Sequence, residues 1–332
     1  MALQFILGPS GAGKSEYIYE DIIRRTMQDE RENVIVLVPE QYSLEIQRKL
    51  VQKHPRGGSF QIDVIGFNRL AYRIFDELHI KPKKVLEDFG KSMLLRKAAQ
   101  EHKEELSLYA GSLDKAGFID EAKSLMSEIY QYDIPRERLR EALQKLDDSE
   151  EARVLARKLQ DMLVIFDAFE EKKGQSFIVA EQMLELLTAA AEQSELIAGS
   201  EIVLDGFTGF TPIQLNLISV LLRRAKKVTI VLTIDAATYE KKHVAEHELF
   251  ALTKQTIEHL LLTAEQAHVV VEPALFLGKD GCKRWSKGHP LAHLEQNLFR
   301  YPYRVGKDEE QAITITAYDT PAQELTGVAE QI

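Results

Sequence analysis

The sequence is poor in cysteine, with Cys282 as its one thiol in 332 residues. A single thiol cannot close a disulfide within the chain, and zinc and iron–sulfur sites usually take several thiolates. No apolar run approaches the length of a membrane-spanning helix, and residues 1–7 lack the basic start of a signal peptide. We therefore expect no disulfide framework and no membrane segment, and we expect the chain to act in the cytoplasm.

Basic residues are also fewer than acidic ones, with 42 Lys and Arg against 52 Asp and Glu and a net charge of −10. This balance argues against a surface that binds nucleic acid over its whole extent, but it allows a local basic or aromatic groove. The hydrophobic content of 45% can form a substantial core. The length predicts two domains, or one domain with a large insertion.

The most specific motif follows a short apolar run at 3–7. The pattern G-x-x-x-x-G-K-[ST] is matched at every fixed position by Gly8, Pro9, Ser10, Gly11, Ala12, Gly13, Lys14 and Ser15. A glycine-rich turn between a strand and a helix lets backbone N–H groups converge on phosphate oxygens. The motif predicts a nucleotide site in which Lys14 reaches the outer phosphates and Ser15 ligates Mg²⁺. We expect the Lys14 side chain to be exposed.

Strands and helices alternate along much of the chain. Apolar runs predict strands at 3–7, 33–38, 60–65, 200–205 and 227–233. Helical periodicity predicts helices at 16–23, 43–53, 67–78 and 213–223. Continuous apolar runs are typical of strands that are buried on both faces, as in a parallel sheet. The pattern therefore predicts an α/β domain with the phosphate loop after its first strand.

A helical block interrupts this alternation. Residues 86–198 have long helical periodicities and no credible strand, which predicts an all-helical insertion between the two parts of the α/β domain, 1–85 and 199–310. A further strand at 312–317 and a helix from Pro321 follow. Because the sequence stops inside that helix, we expect it to be a fragment.

An acidic residue at the end of a neighbouring strand usually holds Mg²⁺ beside such a loop, through water. The apolar run 202–204 is followed by Asp205, which is therefore our metal partner. The next residue in a hydrolase of this kind is commonly a glutamate that polarises the attacking water, but Gly206 stands there. We expect a protein that binds a nucleotide and hydrolyses it poorly. A turn residue that caps the strand is the alternative for Asp205, because Asp-Gly is a turn signal.

Two loops that follow predicted strands carry side chains suited to single-stranded nucleic acid. Phe67, Arg69 and Tyr72 offer rings and a guanidinium group that stack on unpaired bases, while Gln41 and Ser43 offer hydrogen bonds. Ligands bind at the carboxyl ends of strands in open α/β sheets. The alternative is ordinary helix packing for the two rings and a surface charge for the arginine.

Other reactive residues form no recognisable catalytic set. No Ser-His-Asp arrangement is evident, and Cys282 has no neighbouring base that would make it a nucleophile. Lys283, Arg284, Trp285 and Lys287 form a small basic and aromatic cluster, which a loop tip explains equally well.

Taken in order, these segments resemble the N-terminal part of the AddB family, the second subunits of bacterial AddAB-type helicase–nucleases, which process DNA double-strand ends. The resemblance covers essentially the whole chain and is carried by residues 8–15, 36–41, 67–73, 204–212 and 290–295. It implies the layout of a superfamily 1 helicase, with a P-loop NTPase domain 1A, domain 1B as the helical insertion, and the entry to a truncated domain 2A at 311–332.

The resemblance also implies a function. Members of this family resemble helicases whose motor has decayed, and their groove scans single-stranded DNA for the recombination hotspot called Chi. By this resemblance the DNA contacts are Gln41, Ser43, Phe67, Arg69, Tyr72 and Phe210. The partner is an AddA-like motor and nuclease subunit, the cofactors are ATP and Mg²⁺, and an iron–sulfur cluster is expected only in the absent C-terminal domain. No nuclease activity is expected of this chain.

Two other interpretations of the phosphate loop remain open. A small-molecule P-loop kinase would pass the phosphate to an acceptor near the helical insertion, although we can place no catalytic lid there. ATP could also be a structural ligand that stabilises a protein scaffold. Binding of single-stranded DNA distinguishes the first interpretation from these two.

Overall fold

The computed structural model describes residues 1–29, 31–81, 83–115, 117–147, 149–174, 176–278, 283–286, 288–307 and 311–332. Cys282 and Lys287 lie outside the described residues. The strands are β1 (Ala2–Gly8), β2 (Asn33–Leu37), β3 (Ile62–Ile65), β4 (Lys84–Val85), β5 (Phe177–Ile178), β6 (Ser200–Leu204), β7 (Lys227–Thr233), β8 (Val270–Val271) and β9 (Leu275–Phe276).

The helices of the first half are α1 (Lys14–Gln28), α2 (Ser43–Lys53), α3 (Phe67–Glu77), α4 (Asp88–Glu101), α5 (Phe118–Gln131), α6 (Arg136–Gln144) and α7 (Glu150–Lys173). Those of the second half are α8 (Ala180–Ala191), α9 (Glu195–Ala198), α10 (Pro212–Arg224), α11 (Ala236–Glu240), α12 (Ala251–Gln266), α13 (Pro290–Asn297) and α14 (Pro321–Gln331). Short 3₁₀ helices lie at Glu40–Tyr42 and Lys103–Glu105. In the part of the chain that the structure describes, every helix is too short or too polar to span a bilayer.

The central sheet has the order β3-β2-β6-β7-β1-β8, and β9 also pairs with β1. Every pairing in this sheet is parallel among the described residues. The predicted α/β class with a parallel sheet is therefore confirmed. Because the strands are parallel, the loops that follow β1, β2, β3 and β6 all leave from one edge of the sheet.

Both faces of the sheet are buried, as the continuous apolar strand sequences predict. Alternate residues of β2 point to opposite faces: Ile35 and Leu37 join one core, which includes α3, α8, α10 and α12, whereas Val34 and Val36 join the other. That second core is covered by α1 and α2, and Ile22 of α1 is completely buried there. Each fully buried aliphatic side chain of this kind contributes roughly 1.5–3 kcal/mol.

A separate hydrophobic cluster lies in the middle of the chain. It includes Leu95 of α4, Met126 of α5 and Phe169 of α7, and its last member is Val179. The next helix, α8, packs instead against the core of the sheet through Met183 and Leu187. The division of the chain at 85, 198 and 310 stays a prediction.

Two predictions about strands are wrong. The block 86–198 is not free of strands, because β5 pairs with β4 in a second, two-stranded parallel sheet. Two-residue strands are set by their neighbours in space and leave no periodicity in the sequence. In the described part of the chain, residues 312–317 form no strand, although α14 begins at Pro321 as predicted. An alternating sequence becomes a strand only when its backbone pairs in a ladder, and side-chain pattern does not report that pairing.

Candidate nucleotide and nucleic-acid site

The predicted phosphate loop joins β1 to α1, as its motif requires. Gly11 has a φ of 74° and Gly13 a φ of 84°, both in the left-handed region that favours glycine. The N–H of Ala12 donates to the carbonyl of Pro9 at 3.3 Å, and that of Tyr17 donates to Gly13 at 2.9 Å. The loop is therefore a tight turn at the N-terminus of a 15-residue helix, where backbone N–H groups and the helix dipole favour an anion.

Lys14 is not exposed, and our prediction of its exposure is wrong. Its side chain is buried, with 9% of the residue's surface accessible. The ammonium group donates to the carbonyls of Gly8 at 2.9 Å and Pro9 at 2.8 Å. The reason is local, because the tight turn aims its own carbonyl oxygens at the start of α1 and a buried cation needs such acceptors.

Asp205 follows β6, and its N–H extends the sheet by donating to the carbonyl of Leu37 at 3.0 Å. Its carboxylate accepts a hydrogen bond from the Tyr19 hydroxyl, with 2.6 Å between Oη and Oδ2. The two residues are only 5% and 4% exposed. Burial raises the pKa of Tyr19 well above its ordinary value, and the negative charge of Asp205 raises it further. Within the described residues, the carboxylate is thus held by a side chain of α1 and makes no cap to its own turn.

The position after Asp205 has a backbone conformation that favours glycine. Gly206 has a φ of 83°, in the left-handed region. An added Cβ would lie 3.4 Å from Cδ of Pro39 and 4.0 Å from Cδ2 of Tyr42, which are ordinary contacts. A side chain at this position is therefore disfavoured by backbone strain, of about 1–2 kcal/mol, and space is not the obstacle.

One cleft of about 740 Å³ contains the loop and the acidic residue together. It is lined by Lys14 and Ser15 on one side and by Asp205 and Tyr42 on another. Ser15 is exposed to this cleft. A hydroxyl and a carboxylate, completed by phosphate oxygens and water, are the ligands that Mg²⁺ usually takes in a nucleotide site. In the described ranges no group of three or more His, Cys, Asp and Glu side chains could hold a metal ion without such help.

Two other carboxylates line the cleft, and both are ion-paired. Glu16 lies 2.5 Å from the ammonium group of Lys53, and Glu45 lies 2.5 Å from that of Lys49. These hydrogen-bonded lysines lower the pKa of each glutamate. A carboxylate with a lowered pKa is a weaker base, so neither is well suited to activate a water molecule.

The predicted DNA contacts lie at the carboxyl ends of three adjacent strands. Gln41 is in the 3₁₀ helix after β2, Phe67 begins α3 after β3, and Phe210 lies in the loop after β6. Ser43 begins α2, and its hydroxyl donates to the carbonyl of Glu40 at 2.9 Å. The topology thus brings together residues that are up to 169 positions apart in the sequence, from 41 to 210.

An aromatic row crosses two of these loops. The ring of Phe207 lies 5.4 Å from that of Phe67 and 5.3 Å from that of Phe210, centre to centre. All three rings are partly buried against the core of the sheet. Helix packing, the alternative for Phe67, is therefore part of its role. Tyr72 differs, since it is 51% exposed on α3, and Arg69 is exposed on the same helix.

Residues that the sequence did not single out connect these loops. The carboxylate of Glu40 accepts a hydrogen bond from the N–H of Asn68 at 3.1 Å, at the N-terminus of α3. A Cβ on Gly66 would overlap the carboxylate of Glu40. The carboxylate thus needs a glycine beneath it. Glu40 lies in the segment 36–41 and Phe207 in the segment 204–212, both of which the sequence analysis noted. The roles of these two residues depend on contacts between loops of different strands, which the sequence does not display.

The fold and the site together define an α/β protein with a largely parallel sheet, whose glycine-rich loop, acidic strand end and aromatic row share one edge. Within that class, the chain belongs to the AddB N-terminal family. The model of the family described as "ADDB, N-terminal" matches residues 5–295.

Relatives of the chain are named as the B subunits of an ATP-dependent helicase/deoxyribonuclease. The protein of Lachnoclostridium phytofermentans is 38% identical over 328 residues, which cover 98% of this chain and 28% of that protein. The protein of Clostridium novyi is 30% identical over 332 residues, or 100% and 29% of the two sequences. That of Clostridium kluyveri is 32% identical over 333 residues, or 100% and 28%. The chain therefore spans less than a third of the length of these relatives.

Proposed function

We propose that the chain is the nucleotide-binding and single-stranded-DNA-scanning part of a helicase–nuclease subunit. In this proposal it acts with an AddA-like partner in double-strand break repair by homologous recombination. Membership of the AddB family supports the part of the proposal that concerns the partner subunit and DNA repair. The observation that carries the biochemical part is the cleft in which the loop 8–15 and the buried carboxylate of Asp205 meet at the carboxyl edge of the sheet.

The nucleotide is ATP bound to Mg²⁺, in a P-loop NTPase site. The backbone of residues 8–13 and Lys14 hold its phosphates, while Ser15 and Asp205 hold the metal ion, the latter through water. The left-handed glycines and the helix N-terminus fit a phosphate group. Bound magnesium supplies charge neutralisation at the phosphates. Tyr19 fixes the carboxylate of Asp205 in place by its hydrogen bond.

The motor is degenerate in this proposal. Gly206 has no carboxylate, and its left-handed backbone disfavours one. The remaining cleft carboxylates, Glu16 and Glu45, are paired with lysines. Slow or absent hydrolysis follows, because no described cleft residue is a free carboxylate base that could polarise water.

The strand groove runs along the ends of β3, β2 and β6. The exposed ring of Tyr72 stacks on a base of the DNA strand, and Arg69 on the same helix stacks on a base or pairs with a phosphate. The partly buried aromatic row that includes Phe67 and Phe210 supports the strand from the core side. Gln41 and Ser43 supply hydrogen bonds for reading a sequence such as Chi.

The domains in this proposal are 1A (1–85 and 199–310), a 1B-like insertion (86–198) and the start of 2A (311–332).

The experiment measures ATP binding and ATP turnover by the purified full chain, with and without single-stranded DNA, at two stated salt concentrations. We expect binding that depends on Mg²⁺, together with turnover that DNA does not stimulate. Lys14→Gln should abolish ATP binding because it removes the charge that holds the phosphates. Glutamine keeps most of the length of the side chain, which limits other changes to the loop. Lys158→Gln, a change on the exposed surface of α7, is the matched control.

Each result has a distinct meaning. Unchanged ATP affinity in Lys14→Gln would remove the nucleotide site from the loop. Brisk DNA-stimulated hydrolysis would contradict the degenerate motor. Transfer of phosphate to a small acceptor, without an effect of DNA, would favour the kinase interpretation instead.

A further inference from the structure

A short segment, Lys283 to Ser286, lies directly against the phosphate loop. The N–H groups of Lys283 and Arg284 both donate to the carbonyl of Gly11, at 3.0 Å and 3.2 Å. Gly11 is in the middle of the turn between β1 and α1. These two hydrogen bonds fix the backbone of the segment at the loop, although Gly11 and Lys283 are 272 positions apart in the sequence.

The side chain of Lys283 passes over the start of α1. Its Cδ lies 3.0 Å from the position that a Cβ of Gly13 would take, with Cβ and Cε of the lysine at 3.9 Å. Any side chain at position 13 would meet this lysine, in addition to the strain of a φ of 84°. The positive charge of Lys283 also contributes to the lowered pKa of Glu16, after the larger effect of Lys53.

Lys283 and Arg284 both line the cleft that contains the loop. The two other exposed lysines of this cleft are ion-paired, Lys49 with Glu45 and Lys53 with Glu16. Across the described ranges, neither Lys283 nor Arg284 forms an ion pair with a carboxylate. The guanidinium carbon of Arg284 lies 5.7 Å from the centre of the Trp285 ring, a cation–π contact that restricts its orientation.

We propose that Lys283 and Arg284 form a second phosphate-binding element, which holds the polyphosphate of a nucleoside triphosphate together with Lys14. This inference rests on the proposed nucleotide site. Cations gathered around one cleft repel one another, and a polyphosphate anion removes that repulsion. An arginine fork and a lysine ammonium group form charge-assisted hydrogen bonds with phosphate oxygens. The backbone bonds to Gly11 keep both groups within reach of whatever the loop binds.

The test compares two double variants of the full chain in equilibrium titrations with Mg²⁺–ATP. Lys283→Gln with Arg284→Gln removes both charges but retains the backbone hydrogen bonds to Gly11. We expect this variant to bind ATP roughly tenfold to a hundredfold more weakly, as the loss of one or two charge-assisted hydrogen bonds implies. Lys283→Arg with Arg284→Lys keeps both charges and should stay within about threefold of the wild type, well below that loss.

The matched control is Arg157→Gln with Lys158→Gln. It removes the same two charges from adjacent exposed positions of α7, which do not line the cleft. Thermal unfolding without nucleotide, measured for every variant, should give the same midpoint, because the mutated side chains are exposed.

If the Gln double variant binds ATP as tightly as this control, the second phosphate-binding element is refuted while the loop site stands. If the charge-retaining swap loses as much affinity as the Gln variant, the segment acts through its shape and the proposal fails. If the wild-type chain binds no ATP, the nucleotide site and this element fail together.

Discussion

Replacement of Tyr19 by phenylalanine tests the central contact of the site. The change removes one oxygen atom and leaves the ring, so it creates almost no cavity in a position that is 4% exposed. It deprives the buried carboxylate of Asp205 of the hydroxyl that donates to Oδ2 at 2.6 Å. A buried hydrogen bond to a charged group contributes about 1.5–3 kcal/mol, and an acceptor left without its donor keeps the full cost of desolvation. We therefore expect a loss of about 2 kcal/mol in the free energy of unfolding.

The assay is urea unfolding of the full chain, with Tyr17→Phe as the matched control. Tyr17 is two residues away on the same helix and is 39% exposed, so water surrounds its hydroxyl and the loss of that hydroxyl costs little stability. The expected result is a lower midpoint for Tyr19→Phe with an unchanged slope. If both variants unfold within about 0.5 kcal/mol of the wild type, the usual range for surface substitutions, Tyr19 does not hold Asp205 and our account of the carboxylate is wrong.

The same pair predicts a pH dependence. Because the pKa of Tyr19 is raised in the folded protein, its contribution to stability is fully present below the ordinary phenol value of 10.0. It is lost as the pH rises above that value, since the unfolded chain then releases a proton that the folded chain retains. Tyr19→Phe should make the alkaline decline of the unfolding free energy shallower by one proton. An equally steep decline in the variant would contradict the assignment.

Three further outcomes follow from single contacts. Asp161 is 1% exposed and accepts hydrogen bonds from Ser107, Leu108 and Tyr109, which lower its pKa although burial raises it. Asp161→Asn should therefore cost roughly 3 kcal/mol in urea unfolding. The stability of the wild type should also fall as the pH drops below 3.8, and the variant should lack that fall. Gly206→Ala should cost about 1–2 kcal/mol in urea unfolding through backbone strain, and a neutral result would contradict the left-handed conformation. Arg69→Ala should weaken single-stranded DNA binding by about 1–3 kcal/mol and reduce its salt slope by about one, whereas Arg157→Ala on α7 should leave both unchanged; equal effects would make Arg69 a mere surface charge.

The sheet was predictable because its signals are local. The run 227–233 is rich in apolar and β-branched residues and forms β7 with the same bounds. The edge strands β8 and β9 have two residues each, and their existence depends on the backbone of β1 beside them. For the same reason β5 was missed and a strand at 312–317 was wrongly expected.

In the candidate site, too, local features could be predicted from the sequence, whereas contacts between distant residues could not. The phosphate loop is a local motif, so strand, turn and helix could all be predicted from residues 3–23. The contact of Tyr19 with Asp205 joins positions that are 186 residues apart, and the buried state of Lys14 depends on carbonyls that the tight turn presents. Lys283 and Arg284 were visible as a basic cluster, but their hydrogen bonds to Gly11, which connect them with the loop, leave no signal in the sequence.

Three consecutive residues join the two halves of the candidate site. Asp205 lines the cleft and contacts Tyr19, and the ring of Phe207 lies between those of Phe67 and Phe210. Gly206 lies between Asp205 and Phe207 in a left-handed turn, with Tyr42 packed beside it, and Phe207 lines the cleft as well. From the carboxylate of Asp205 to the ring of Phe207, the covalent path crosses two peptide bonds, one on each side of Gly206. In the proposed function, a shift of this carboxylate when a nucleotide binds reaches the strand groove through that short path, and no hydrolysis is needed.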